Sequence, residues 1–233
     1  MEKITLGSRL AALAAFAANA KKPVDVGTDH GYLPVWLLEN AAASEAIATD
    51  IHEKPLKKAV DCARDHGLAD RMTFQLTDGL KGVDLDGVDA IVIAGMGGET
   101  IQSILAQVPD LPARGIRLIL QPMTKIEPLI RWLYGAGFHI EDERLAKETG
   151  TLYRILSVAG GAAEAPEGTA LLAGEALFQN QDPLLGEYLA HLCGQLRRKR
   201  DGLLRAASEE TRAQAAETEA LLKELEEKRR EWS

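Results

Sequence analysis

The sequence predicts an α/β domain built on a mostly parallel sheet with an antiparallel terminal strand, followed by an α-helical, coiled-coil-like hairpin. Three observations carry this prediction. Short apolar runs alternate with amphipathic stretches through the first two-thirds of the chain, two further runs around a turn follow them, and two long leucine-seamed helical patterns close it.

The elements follow in chain order. Leu6, Leu10, Leu13 and Ala17 recur at helical spacing and Arg9 interrupts the apolar run, so the first segment is expected to be an amphipathic helix rather than a secretory leader. Strands are predicted at Val24–Gly27, Glu45–Asp50, Met72–Leu76, Val88–Ala94 and Ile116–Gln121, with helices at Leu33–Ala42, Lys54–His66, Glu99–Gln107 and Lys125–Gly135. The run from Asp89 to Ala94 is apolar almost throughout, as in a central strand covered on both faces. Phe138–Leu145 and Thr151–Val158, separated by turn residues from Lys147 to Gly150, predict an antiparallel hairpin closing the sheet edge. Ala159 to Gly168 has a linker composition, which sets the expected boundary between a sheet domain over 1–158 and a helical hairpin over 159–233. In that region Leu184–Ala207 carries the seam Leu185, Leu189, Leu192 and Leu196. Ser208–Trp232 carries Leu221, Leu222, Leu225 and Trp232, with Ser208 as N-cap ahead of Glu209 and Glu210.

Composition narrows the class. A chain of 233 residues holds one α/β domain of about 150 residues and a smaller appendage. Its 46% apolar and 27% charged residues are those of an ordinary globular protein, and no stretch is apolar enough to span a membrane. Cys62 and Cys193 lack CxxC partners, so neither a disulfide framework nor a zinc site is expected, which fits a reducing cytoplasm. The histidines show no metal-ligand spacing. A net charge of -8 argues against a uniformly nucleic-acid-binding surface, yet basic residues gather near the start and again from Arg197 to Arg212.

Candidate chemistry concentrates at the predicted strand ends. Asp25-Val26-Gly27-Thr28-Asp29-His30-Gly31 ends the first strand and opens a helix, where backbone N–H groups meet a ligand's polar atoms. It departs from the GxGxxG dinucleotide fingerprint, because three residues separate Gly27 from Gly31 and one of them is Asp29. An acid there suits a cationic sulfonium ligand with a free amino group better than a pyrophosphate. Asp50 closes the second strand about 20 residues beyond the glycine turn, where a carboxylate accepts both ribose hydroxyls of a nucleoside. Asp78, in Thr77-Asp78-Gly79-Leu80, follows the third strand, level with an adenine edge. Gly95-Met96-Gly97-Gly98 follows the fourth strand and Gln121-Pro122 ends the fifth, bordering the same cleft. On these residues alone, a methyltransferase, a nicotinamide-linked oxidoreductase and a non-catalytic module that senses a nucleoside ligand all stay open.

Together, DVGTDHGYLP at 25–34, TDGL at 77–80, IAGMGG at 93–98 and LILQP at 118–122 resemble the bacterial tRNA (adenine-22-N1)-methyltransferase family. The resemblance implies a Rossmann-like class I methyltransferase sheet with a helical appendage, S-adenosyl-L-methionine as cofactor, S-adenosyl-L-homocysteine as product, and methylation of N1 of an adenine in the tRNA D-arm region. It implies a cofactor pocket of Gly27, Asp29, His30, Gly31, Asp50, Ile51, Asp78, Gly79, Leu80 and Gly95, and a target-base border of Met96, Gly97, Gly98, Gln121 and Pro122. Met123 departs from the family, since many members carry asparagine there.

Adenine N1 has an in-plane lone pair, so the expected chemistry needs alignment and negative potential rather than a general base. Asp29 is the candidate for that potential, and Tyr32 and Met96 are candidates to pack on the extruded base. Arg9, Arg197, Arg198 and Arg200 are expected on tRNA phosphates; the alternative for the run from Arg197 is a solvated face interlaced with glutamates. A cytoplasmic monomer or weak dimer without metal or membrane attachment completes the expectation.

Overall fold

The computed structural model describes residues 3–206 and 208–232. The chain divides into two compact units, Met1–Ala165 and Pro166–Ser233.

The first unit carries strands β1 (Pro23–Val26), β2 (Ala46–Asp50), β3 (Met72–Leu76), β4 (Ala90–Gly97), β5 (Arg117–Thr124), β6 (Phe138–Glu148) and β7 (Thr151–Gly160). Helices α1 (Ser8–Ala17), α2 (Tyr32–Asn40), α3 (Glu53–Asp65), α4 (Gly98–Leu105) and α5 (Ile126–Gly135) surround them. The strands form one sheet in the order β3-β2-β1-β4-β5-β7-β6. The first five are parallel; β7 runs antiparallel to both β5 and β6. This is the mostly parallel Rossmann-like architecture that the alternating pattern predicts. Ile91, Val92 and Ile93 are fully buried, as a central strand requires.

One feature differs from the sequence-based expectation. β4 and β5 run on past Ala94 and Gln121, pairing Met96 with Pro122 and Gly97 with Thr124 through register shifts. The glycine segment after β4 is therefore mostly bulged strand rather than free loop, and each bulge re-aims the residues beside it. The predicted antiparallel hairpin closes the sheet edge, entering through its second strand, β7, with β6 outermost. Its turn is the two residues Thr149 and Gly150, both at positive φ (47° and 83°), the geometry that matches the twist of paired strands.

α1 buries Leu13, Ala14 and Ala17 in the core cluster that also holds Leu37, Ala48, Val92 and Ile155, with Leu6 and Leu10 packed partly buried against it. The amphipathic seam expected of this segment is thus the face that seals the sheet. Ser8 at its start donates from Oγ to the Lys147 carbonyl at 2.5 Å, tying α1 to β6.

The second unit holds α6 (Gly168–Ala173), α7 (Glu175–Gln179), α8 (Leu185–Arg205) and α9 (Glu209–Trp232). α6 and α7 lie where the sequence shows no helical pattern, because each is too short to display one. α8 and α9 pack antiparallel: Arg197 pairs with Glu226, while Arg200, further along α8, pairs with the earlier Glu219. Of the predicted seam, Leu185, Leu189, Leu192 and Leu196 on α8 and Leu222 and Leu225 on α9 are buried, all six under 9% exposed, while Leu221 and Trp232 are half-buried. Ser208 Oγ accepts from the Thr211 amide at 3.1 Å, completing the predicted N-cap. Ala207, the last residue of the predicted first helix, lies outside the described residues.

Candidate functional site

The strand order reverses between β1 and β4, and at such a point the loops leaving the carboxyl ends diverge to either side and open a crevice. A cleft of about 610 Å³ lies there, within the size range of small-molecule sites. Its walls include Arg9, Asp25, Gly27, Asp29, His30, Asp50, Ile51, Asp78, Gly79, Gly95 and Met96. Residues from four strand ends and from α1 are thus gathered at one place.

The β1 turn is built for close approach. Gly27 and Gly31 have φ of 76° and 70°, in the left-handed region that favours glycine. A Cβ on Gly27 would lie 2.2 Å from Met96 Cε, and one on Gly31 would lie 2.9 Å from Ala59 Cα. Gly27 therefore makes room for the Met96 side chain at the cleft floor, whereas Gly31 lets α3 press against the turn from behind.

Asp25 sits within β1, and burial raises its carboxyl from 3.8 to about 6, with the Asp50 carboxylate adding to the rise. The Thr28 hydroxyl and the Arg9 guanidinium draw it back down. Asp50 is 8% exposed, and its Oδ1 accepts from the His52 amide at 2.7 Å, which fixes the carboxylate at the end of β2. Asp78 stands at the rim, paired with Lys81 at 2.5 Å.

Around Asp29 the rim is a small network. Lys58 Nζ lies 3.0 Å from His30 Nε2; an ammonium only donates, so Nε2 is the acceptor. Asp29 Oδ1 is 3.4 Å from the same nitrogen and 3.9 Å from Lys58 Nζ. The His30 ring stacks on exposed Tyr32 with centroids 5.2 Å apart and planes 11° from parallel. Asp29 is thus a solvated rim acid, its side chain 73% exposed, and Asp25 and Asp50 are the deeper pair.

Several expected site residues stand behind the cleft instead of in its wall. Leu80 is buried, and its amide donates to Gln107 Oε1 at 2.7 Å. Gly31, Gly97, Gln121 and Pro122 do not line the cleft. Gln121 is fully buried: Oε1 accepts from Gly95 N at 3.1 Å and Arg9 Nη1 at 3.2 Å, and Nε2 donates to the Pro122 carbonyl and to Met123 Sδ, each at 3.2 Å. It shapes the wall by holding Gly95 and Arg9. Gly98 opens α4 where a Cβ would come 2.5 Å from the Lys125 carbonyl oxygen, so it allows the β4 and β5 exits to close on one another.

Arg9, expected near the cleft entrance, is part of the cleft wall. Of the hairpin arginines, Arg197 and Arg200 are paired with glutamates and Arg198 is exposed. Among the described residues no group of histidine, cysteine, aspartate and glutamate is arranged to hold a metal ion. Asp25, the first residue of the turn motif, lines the cleft although the motif gives it no role of its own. Its signal was present: a carboxylate in the middle of an apolar strand is rare enough to need a reason.

Residues 6–156 match the family described as a methyltransferase domain. The chain is 35% identical over 175 residues to a Bacillus subtilis tRNA (adenine(22)-N(1))-methyltransferase, covering 75% of this chain and 74% of that one. It superposes on the crystal structure of the Bacillus subtilis m1A22 tRNA methyltransferase with a TM-score of 0.83 at 29% identity, covering 95% of this chain and 98% of that one. It also superposes on a Streptococcus pneumoniae protein crystallised with S-adenosyl-L-methionine, with a TM-score of 0.80 at 30% identity over 95% and 99% of the two chains. By these matches the chain belongs to the tRNA (adenine(22)-N(1))-methyltransferase family.

Proposed function

We propose that this protein transfers a methyl group from S-adenosyl-L-methionine to N1 of adenine 22 in tRNA, working in the cytoplasm. The observation that carries the reading is the convergence of Asp25, Asp50 and Asp78 on one glycine-walled cleft at the switch point. The residues fit the donor. Asp50 is fixed by its own backbone contact with one oxygen left to accept ribose hydroxyls, exposed Ile51 offers an apolar face beside it, and Asp78 stands at the adenine end. Asp25 meets the ammonium of the amino-acid end, and Gly95 keeps the wall clear for the reacting groups.

When bound, S-adenosyl-L-methionine supplies an electrophilic methyl group on a sulfonium. The protein's part is positioning, which is worth roughly 7 to 11 kcal/mol of barrier when a bimolecular step becomes an aligned one. Met96 packs over Gly27 and lines the floor beside the reacting groups. Asp29 supplies negative potential at the rim as the base becomes cationic, moderated by Lys58. Incubation with labelled S-adenosyl-L-methionine and bulk bacterial tRNA, followed by mass mapping of the modified nucleotide, should locate N1-methyladenosine at position 22. Binding of S-adenosyl-L-homocysteine without transfer would leave only a binding module.

tRNA is held in part by the hairpin. Arg198 and Arg205, seven residues apart and so on one face of α8, have no ion-pair partner among the described residues, whereas Arg197 and Arg200 are occupied. Charge reversal of Arg198 and Arg205 is expected to weaken tRNA binding and to lower its salt slope by about two, with affinity for S-adenosyl-L-homocysteine unchanged. Filter binding across a salt series checks this. A larger loss from reversing Arg197 and Arg200, with the hairpin still folded, would return the phosphate role to that pair.

A further inference from the structure

Two threonine hydroxyls stand beside Gly97. Thr100, on α4, lines the cleft, and Thr124 ends β5 opposite Gly97 in the register of the two strands. A Cβ on Gly97 would lie 3.2 Å from Thr124 Oγ1 and 4.0 Å from Thr100 Oγ1. Both threonines are exposed, and neither hydroxyl has a hydrogen-bond partner among the described residues. Gly97 itself has φ -66° and ψ 148°, extended geometry open to any residue. Glycine at this point therefore serves space and not backbone conformation, and two unoccupied hydroxyls border that space.

The neighbouring polar groups are already engaged. Met123 Sδ accepts from Gln121 Nε2 at 3.2 Å, and Gln121 Oε1 is taken by Gly95 and Arg9. Thr100 belongs to the cleft wall with Met96 and Thr124 does not, so the pair leads from the cleft to its outer border. A hydroxyl both donates and accepts, and the Hoogsteen edge of adenine offers one donor, the N6 amino group, beside one acceptor, N7. An extruded base can be held by that edge without touching N1, which must keep its lone pair for the methyl group.

We propose that Thr100 and Thr124 read the Hoogsteen edge of the target adenine, Thr100 Oγ1 accepting from the N6 amino group and Thr124 Oγ1 donating to N7, with the ring edge against Gly97. This rests on the function proposed above. The order of atoms sets the assignment: N1 faces the methyl group inside the cleft, N6 comes next, and N7 lies farthest out. When N1 bonds to the methyl carbon, the electron pair of the carbon–sulfur bond passes to sulfur, and the ring becomes cationic with no proton lost. Positive charge spreads onto the amino group, so its hydrogen bond to Thr100 strengthens in the transition state and raises kcat. N7 becomes a poorer acceptor at the same moment, so Thr124 acts on binding of the base.

The test is methyl transfer by the wild type, Thr100→Val and Thr124→Val to three ligated tRNAs carrying adenine, purine or 7-deazaadenine at position 22. Purine lacks the amino group, and 7-deazaadenine lacks the N7 acceptor. Thr100→Val should lower kcat on adenine about three- to tenfold, the worth of one hydrogen bond, and lose nothing on purine. Thr124→Val should raise KM for the adenine tRNA by a similar factor and lose nothing on 7-deazaadenine. Calorimetric affinity for S-adenosyl-L-homocysteine should be unchanged in both variants, which also shows that they are folded. Equal losses on all three tRNAs, or no loss on any, would overturn the proposal. A loss of S-adenosyl-L-homocysteine affinity matching the loss of activity would overturn it by assigning the hydroxyls to the cofactor. A wild type that methylates none of the tRNAs would overturn the proposed function itself, and this inference with it.

Discussion

Asp25→Asn is expected to stabilise the protein without ligand while costing it most of its affinity for S-adenosyl-L-homocysteine. The native carboxyl titrates near 6 against 3.8 for the free group, chiefly because burial disfavours the charged form. The native state therefore holds the proton more tightly than the unfolded chain does. The stability this lends is complete below 3.8 and is lost as pH rises to about 6, and above that the wild type carries a strained carboxylate worth about 3 kcal/mol. Asparagine removes the penalty, and urea unfolding at neutral pH should show a gain of that order, shrinking towards zero in acid. The functional cost has the opposite sign. A ligand ammonium favours the ionised carboxylate, so the affinity of the wild type should fall as pH drops through about 6, and the variant should show a flat profile some ten- to a hundredfold weaker. A wild-type affinity that ignores pH across this window would remove Asp25 from the ammonium site.

The second large effect lies away from the cleft. Glu143 on β6 and Arg154 on β7 form an ion pair with both side chains only 2% exposed, Oε1 accepting from Nη2 at 2.5 Å and from Nε at 2.7 Å. Removing one member leaves the other charged and buried, which costs about 3 to 5 kcal/mol. Arg154→Met alone should lower the unfolding free energy measured in urea by that amount. Glu143→Leu combined with Arg154→Met should recover most of it, because an apolar pair of similar volume needs no desolvation. If the single variant cost no more than the double, the pair would not be acting as a buried charge couple. The same hairpin carries Glu148 and Tyr153, which flank Arg9, so loosening it should also weaken S-adenosyl-L-homocysteine binding.

Legibility of the site tracked the range of the forces involved. The glycine turn and the acids Asp50 and Asp78 were readable because their meaning is local: a strand ends, the backbone turns at positive φ, and a carboxylate is left at the sheet edge. Gln121 lies within β5 rather than at its end, and nothing near it in sequence reveals that its partners are Arg9, 112 residues away, and Gly95, 26 residues away. Arg197 and Arg200 posed the same problem. Their run of positive charge is visible in sequence, yet which members are neutralised depends on how α9 folds back along α8.

By itself the sequence determined the alternation of strands and helices, the switch-point turn and its acids, the helical seams with their cap, and the family. Each is encoded in periodicity, in backbone freedom at particular glycines, or in short motifs, all of which act over a few residues. The tertiary structure decided that β7 rather than β6 joins β5, that β4 and β5 continue as bulged strands through the glycine segment, that Arg9 turns into the cleft, and that Asp25 holds its proton to about 6. These depend on which distant groups come to share one low-dielectric place, and burial and charge pairing have no existence until the chain has closed around them.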